Sequence, residues 1–199
     1  ASDEEILQAA HRVMLRRGNK GFTLSEVARE VGLTRSAIIQ RFDSTQSLKI
    51  TLTARMVALF QEALDSLPVS RSGDGLLALV EFIAEMIPDR KQLGAFMQSF
   101  QSGIGDEALE ALENQRSMSL HQAISARMPA LAISRESAVL AFMANIGGSL
   151  SQWQIWADVD AKTFLVERTR EWLKLAGIAF TDSEARLESL NTQSLRLAQ

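Results

Sequence analysis

Residues 23–42, TLSEVAREVGLTRSAIIQRF, contain the pattern that decides the fold, two short helices joined by a tight turn. Thr23 can cap the first helix, and Glu26 three residues later is typical of a capping box. Gly32 supplies the backbone freedom with which that helix can end. Because Thr34 is placed as a second cap, a second helix is predicted to begin at the next residue.

The second of these helices has an apolar side and a polar side. Its inward positions are Ala37, Ile38 and Phe42, and its outward positions are Arg35, Ser36, Gln40 and Arg41. A helix, a glycine-centred turn and a capped helix form the helix-turn-helix of DNA-binding proteins, whose second helix places its N-terminal residues in the major groove. The alternative interpretation is an ordinary corner between two helices of a helical core.

Helical periodicity and turn residues predict helices on both sides of this pair. One precedes it over residues 3–17 and ends at Gly18. The helices predicted after it cover residues 46–67, 75–87, 90–102, 106–128, 135–157 and 161–176, and a tail helix follows residue 181. No segment of the sequence alternates with a period of two. The chain is therefore predicted to be all-α, with nine to ten helices.

Composition limits the class of protein. The 199 residues are 46% hydrophobic and 23% charged, as in ordinary globular proteins. The sequence has no cysteine, which excludes disulfides and thiolate chemistry. It has no apolar run of the roughly 18 residues that a membrane helix needs, and its acidic start, ASDEE, is not a signal peptide. We therefore expect a cytoplasmic protein that does not bind a membrane.

Charge is distributed unevenly along the chain. Residues 1–60 carry nine Lys and Arg against six Asp and Glu, a balance of +3, whereas the remaining residues have a balance of −6. A basic first part on an acidic remainder suits a small DNA-reading domain carried by a body that does not touch DNA.

An enzyme is the main competing class. The sequence contains no histidine pair at metal-binding spacing, no glycine-rich phosphate loop and no GxSxG, and its two histidines, His11 and His121, are far apart. We therefore expect neither catalysis nor a metal or other cofactor. The alternatives left open are a helical adaptor and an enzyme of unrecognised class, and a DNA gel shift would separate them from a DNA-binding protein.

The N-terminal pattern resembles that of the TetR family of bacterial transcriptional regulators over about residues 5–50. The matching positions are Ile6, Ala9, Ala10, Gly18, Thr23, Val27, Ala28, Val31, Gly32, Leu33, Thr34, Ile38, Phe42 and Leu48. The resemblance implies a DNA-binding domain at residues 1–48 and an effector-binding and dimerisation domain at residues 49–199. It implies a ligand-responsive regulator, expected to be a repressor, that binds a palindromic double-stranded operator as a homodimer and is released by a small hydrophobic effector.

The resemblance also assigns residues that contact DNA, with three departures from the family's pattern. Ile39 stands where an aromatic residue is usual, Arg41 where the family has His or Tyr, and Thr45 where it has Lys. Lys49, one turn later, can replace that Lys as a phosphate contact. Arg can bind a guanine edge and Gln an adenine edge. The candidate DNA-binding residues are Thr23, Thr34, Arg35, Ser36, Ala37, Ile39, Gln40, Arg41, Thr45 and Lys49.

The second part of the chain is rich in large apolar residues, which the resemblance places around an effector pocket and on a dimer interface. The effector candidates are Met86, Phe96, Met97, Phe100, Met118, His121, Phe142 and Trp153. The dimerisation candidates, on the last two long helices, are Val139, Phe142, Met143, Ile146, Leu150, Phe164, Leu165, Arg168 and Trp172. Gly147 and Gly148, in the middle of one of these helices, would let another helix come close.

Overall fold

The computed structural model describes residues 1–87, 89–94, 104–156 and 158–181. Its helices are α1 (Asp3–Gly21), α2 (Leu24–Glu30), α3 (Arg35–Phe42), α4 (Thr45–Ser66), α5 (Gly73–Glu85), α6 (Glu107–Arg127), α7 (Arg135–Trp156) and α8 (Ala161–Leu175). Residues 90–94 are also helical, and the described ranges contain no strand. The predicted all-α class is confirmed, whereas most of the helix predicted at 90–102 and the tail helix lie outside the described residues.

Thr23 and Thr34 cap α2 and α3 as the sequence predicts, whereas the Glu26 carboxylate pairs with Arg17 and Arg29 instead of completing the predicted capping box. The Thr23 hydroxyl accepts the Glu26 backbone N–H at 3.2 Å, and the Thr34 hydroxyl accepts the Ala37 N–H at 3.2 Å. Between them Gly32 has a φ of 66°, in the left-handed region that favours glycine. Both helices therefore begin at fixed residues.

The first helix differs from its prediction at both ends. Ser2 and Glu5 form a reciprocal capping box at its start, which the sequence analysis did not identify. At the other end α1 continues to Gly21, but Gly18 has a φ of 64° and interrupts the helical backbone at the predicted position. The acidic first turn of α1 is thus held by its own side-chain hydrogen bonds.

We call residues 1–56 the head, because their apolar side chains form one core. The core residues of the head are Ile6, Leu7, Ala9, Ala10, Val13, Met14, Phe22, Leu24, Val27, Ala28, Ile38, Phe42, Leu48 and Leu52. Of the inward positions predicted for α3, Ile38 and Phe42 are among them, whereas Ala37 is only half-buried. Burial of these residues fixes the two helices of the motif against α1 and the first turns of α4.

The described chain divides into two compact units. The first contains Ala1–Leu67 and Met86–Gln122, and the second contains Pro68–Glu85 and the described residues from Ala123 onward. This grouping follows contacts within each unit. The division into functional domains at residue 48 stays a prediction.

In the second unit, α8 packs against both α5 and α7. The rings of Phe142 on α7 and Trp172 on α8 meet edge to face, with their centroids 4.9 Å apart. The buried apolar residues of the three helices are Leu76, Leu77, Leu79, Val80, Ala84, Ala138, Val139, Phe142, Ile146, Trp153, Ala161, Leu165, Val166 and Leu173. These side chains constitute the unit's own core.

A buried arginine joins two distant segments of the second unit. Arg127 is the last residue of α6, and it is only 2% exposed. Its guanidinium donates to the Ala123 carbonyl at 2.9 Å and to the Pro68 carbonyl at 2.8 Å. Because Pro68 follows α4 almost directly, the segment after that helix is fastened to the C-terminal end of α6. Among the helices described, none is both long and apolar enough to cross a lipid bilayer.

The half-buried His11 on α1 makes the stability of the head depend on pH. Burial, and to a lesser extent the charge of Arg12, lower the pKa of its imidazole from the ordinary value of 6.5. The unfolded chain then binds this proton more readily than the folded one, so the stability from neutral His11 is complete above 6.5 and declines as the pH falls below it. We expect the melting temperature to fall between about pH 8 and about pH 5.5, measured by circular dichroism.

His11→Gln is the matched variant for this measurement, because it removes the titrating ring and leaves the carboxylates of the chain in place. Its melting temperature should fall less over the same pH range. An equal fall in both proteins would show that His11 is not responsible.

Candidate nucleic-acid interface

The N-terminal turn of α3 presents polar side chains on the surface of the head. Arg35, Ser36 and Gln40 are exposed, whereas Ile38 and Phe42 are buried in the head core. The side that anchors α3 and the side that faces outward are therefore distinct. The exposed side chains can donate to and accept from a base edge without any disturbance of the packing.

Arg35 differs from the other six arginines of the head. Each of those six lies at ion-pair distance from a carboxylate. The pairs are Arg12–Glu30 at 3.1 Å, Arg16–Glu30 at 2.8 Å, Arg17–Glu26 at 3.8 Å, Arg29–Glu26, Arg41–Asp3 at 3.3 Å and Arg55–Glu4 at 3.2 Å. Within the described chain Arg35 forms no such pair, so the donors of its guanidinium are available to an external acceptor.

Three further candidates lie at helix starts. Thr23 and Thr34 are exposed, but each hydroxyl already accepts a backbone N–H as a cap. Thr45 is the exposed first residue of α4, and Ser44 caps that helix by accepting the Ser47 N–H at 3.0 Å. The remaining unpaired N–H groups of such helix starts are suited to phosphate oxygens.

Ala37, Ile39 and Arg41 are less available than the sequence predicts. Ala37 is half-buried, and Ile39 packs against the head core. The Arg41 guanidinium donates to the Asp3 carboxylate and to the Ala1 carbonyl, so it already has intramolecular partners. Contact between Arg41 and DNA would require exchange of these partners.

Lys49 is not on the surface, in contrast to its predicted role as a phosphate contact. The residue is 7% exposed. Burial lowers the pKa of its ammonium, and the negative charge of Asp106 opposes that shift. A buried ammonium cannot meet a phosphate unless its side chain first changes conformation.

The described effector candidates divide between the two compact units. Phe96, Met97 and Phe100 lie outside those residues. In the first unit, Met86 is 47% exposed and Met118 is 61% exposed, and His121 is half-buried. In the second unit, Phe142 and Trp153 belong to the core, where the Trp153 indole N–H donates to the Val159 carbonyl at 2.9 Å. The effector pocket thus stays a prediction.

The dimerisation candidates divide between the core and the surface. Val139, Phe142, Ile146 and Leu165 are covered by their own unit, so they cannot form a dimer surface. The partly exposed candidates are Met143, Leu150, Phe164, Arg168 and Trp172.

The sequence analysis missed the apolar residues that do face outward on these helices. They are Leu140 at 52% exposure, Ile155 at 68%, Trp156 at 70% and Leu175 at 89%. On α7, Leu140 and Ile155 lie in one row with the exposed small residues Ala144, Gly147, Gly148 and Ser151. The three- and four-residue spacing of this row is the sequence signal from which the outward face could have been predicted. A depression of about 330 Å³ lies between α7 and α8, lined in part by Asn145, Gln152, Arg168 and Trp172.

Comparison with known proteins agrees with the resemblance of the head. The family model described as bacterial regulatory proteins, tetR family, matches residues 6–49. Among curated proteins, none matches the chain. Residues 6–49 thus have the sequence of the TetR-family helix-turn-helix DNA-binding domain.

Solved structures of transcriptional regulators share the fold. A TetR transcription regulator from Haloarcula marismortui is 16% identical with a TM-score of 0.73, over 89% of this chain and 98% of that one. A transcriptional regulator from Rhodococcus sp. Rha1 is 17% identical with a TM-score of 0.70, over 92% and 100%. The transcriptional regulator FadR from Bacillus subtilis, solved with stearoyl-CoA, is 14% identical with a TM-score of 0.63, over 89% and 100%. The described chain has the TetR fold.

The unpaired Arg35 should read a base. We expect Arg35→Ala to weaken binding to a duplex selected from random sequences by about 1–3 kcal/mol, because a bidentate contact to a base edge is lost. Binding to duplexes of unrelated sequence should change little. Fluorescence anisotropy at fixed salt measures both affinities.

Arg71→Ala provides the control, since Arg71 is an exposed arginine in the second unit. It should leave both affinities unchanged. Equal losses on selected and unrelated DNA for Arg35→Ala would mean that Arg35 contacts phosphate rather than a base.

Proposed function

We propose that this protein is a ligand-responsive transcriptional repressor that binds a palindromic operator as a homodimer and is released by a small hydrophobic effector. The head is of TetR type, and the exposed side chains of its α3 would recognise the operator. Each half of the operator would receive α3 of one copy in its major groove.

The observation that carries the proposal is the state of Arg35. The other head arginines have intramolecular carboxylate partners, whereas Arg35, the first residue of α3, is exposed and has no carboxylate partner among the described residues. Gln40 is exposed on the same helix. An arginine and a glutamine are the side chains that pair bidentately with guanine and adenine edges.

The outward face of α7 supports a homodimer. A Cβ added at Gly147 or Gly148 would meet no atom of the described chain within 4 Å, so packing within one copy does not explain either glycine. Glycine in a helix interior costs about 1 kcal/mol relative to alanine. Close approach of a second copy's helix accounts for both residues, and the exposed Leu140 and Ile155 flank them on the same face.

A hydrophobic effector is supported by composition and by analogy. The chain has seven methionines, and soft side chains of this kind suit an adaptable apolar pocket. FadR, which shares the fold, was solved with stearoyl-CoA, a ligand with a long acyl chain. An effector that binds the DNA-incompetent conformation better must lower DNA affinity by the same factor by which DNA lowers its own.

Selection of duplexes from a random pool, followed by a gel shift, tests the function. A palindromic sequence should be enriched, and two copies of the chain should bind per duplex. Adding stearoyl-CoA as a first hydrophobic probe should release the duplex. Failure to enrich any sequence would refute DNA recognition, and release by polar compounds alone would refute the class of effector.

The glycine pair on α7 gives a further prediction. Gly147→Ala and Gly148→Ala should each raise the free energy of unfolding of the monomer by about 1 kcal/mol, because alanine is the better helix former. The same changes should weaken dimerisation at least tenfold, because the added methyl groups hold the two helices apart. Sedimentation equilibrium measures the dimer constant, and urea unfolding at low concentration measures stability.

Asn114→Ala is the matched control, an exposed helical position on α6 that belongs to the first unit. It should raise stability by about 0.5 kcal/mol and leave the dimer constant unchanged. A dimer that tolerates both glycine substitutions would place the interface elsewhere.

A further inference from the structure

The first turn of α1 is an acidic turn with a fixed backbone. The Ser2 backbone N–H donates to the Glu5 carboxylate at 2.6 Å, and the Glu5 N–H donates to the Ser2 hydroxyl at 3.2 Å. Asp3 and Glu4 lie between these two residues, at a helix start where negative charge is favourable. The turn therefore carries two carboxylates that the capping box does not use.

Each of these two carboxylates pairs with an arginine on another helix. The Asp3 Oδ1 lies 3.3 Å from Nη1 of Arg41, in the last turn of α3, and the Glu4 Oε2 lies 3.2 Å from Nε of Arg55 on α4. The Arg41 Nη1 also donates to the Ala1 carbonyl. All of these residues belong to the first compact unit. The start of α1 is thus in direct contact with the helix proposed to enter the major groove.

The partners of Arg41 resemble those that a DNA phosphate would supply. A guanidinium bound to a phosphate donates to anionic oxygens, and here a carboxylate oxygen and a carbonyl oxygen accept from it. The Arg41 side chain is 40% exposed and that of Asp3 is 70% exposed, so the two can separate without disturbing the head core. A phosphate that approaches Arg41 also approaches the Asp3 carboxylate, which repels it. DNA binding through Arg41 therefore requires the guanidinium to leave Asp3.

We propose that Asp3 is an autoinhibitory residue, which occupies the Arg41 guanidinium in place of a DNA phosphate and so lowers the affinity of the head for DNA. The inference rests on the proposed DNA-binding function. Because a phosphate contact carries no sequence information, Asp3 lowers the affinity for an operator and for unrelated DNA by the same factor. An exposed ion pair is weak, so Asp3 reduces the affinity without preventing binding.

Asp3→Ala removes the carboxylate and leaves the capping box of Ser2 and Glu5 intact. It should raise the affinity about two- to fivefold, the equilibrium constant of an ordinary exposed ion pair, for selected and unrelated duplexes alike. Fluorescence anisotropy at low salt measures both affinities. Glu4→Ala is the matched control, because it removes an equal charge at the adjacent residue without touching Arg41. It should change either affinity little.

A double-mutant cycle separates the contact from the charge. In an Arg41→Gln background, Asp3→Ala should no longer raise the affinity, because the cation that Asp3 occupies is gone.

Modification by phenylglyoxal, followed by mass spectrometry, tests the contact without DNA. The reagent attacks guanidinium nitrogens, one of which donates to Ala1 and Asp3 in Arg41. Asp3→Ala should raise the modification rate of Arg41 several-fold and leave that of the exposed Arg71 unchanged.

An unchanged affinity in Asp3→Ala protein overturns the inference. Equal gains for Asp3→Ala and Glu4→Ala also overturn it, as does a gain that survives Arg41→Gln, because either would come from general repulsion between carboxylates and DNA. If the parent protein binds no duplex, the proposed function fails, and an unchanged rate of Arg41 modification separately refutes the role of Asp3.

Discussion

Burial of Ile38 and Phe42 in the head core is the interaction on which the placement of α3, the helix proposed to recognise DNA, depends. They lie on α3, which has eight residues, far fewer than an isolated helix needs to be stable in water. The Thr34 cap fixes where α3 begins, and the two apolar side chains fix how it is rotated about its axis. The placement of Arg35 is therefore set by residues that face the core and not the surface.

Electrostatics then distinguishes among the cations of the head. Exposed ion pairs contribute little to stability, typically less than about 1 kcal/mol each. Their larger effect here is that they reduce the number of cations available to an external partner. Arg12, Arg16 and Arg41 already have partners, Lys49 is buried, and Arg35 has no carboxylate partner within the part of the chain that the structure describes. A basic balance over the first 60 residues thus overstates the number of charges that DNA can meet.

The sequence was sufficient for features set by local chemistry. The threonine caps, the left-handed Gly32 and the inward positions of α3 depend on neighbouring residues and on a 3.6-residue period, so a single stretch of sequence reveals them. The burial of Lys49, whose ammonium is subject to the charge of Asp106 much later in the chain, cannot be found in such a stretch. Likewise, both sides of α7 are apolar, and only packing against α8 shows that Phe142 faces inward and Leu140 outward.

The hydrogen bond from Arg127 to Pro68 has a consequence for the order in which the chain assembles. The second unit is discontinuous, and the bond from Arg127 to the Pro68 carbonyl spans 59 residues of sequence. During synthesis α5 emerges well before α7 and α8, so Leu76, Leu79 and Val80 have no partner surface until the later helices leave the ribosome. The nascent chain therefore carries an apolar helix before the later helices that cover it have been made, and this interval is the one in which a chaperone would have most to protect.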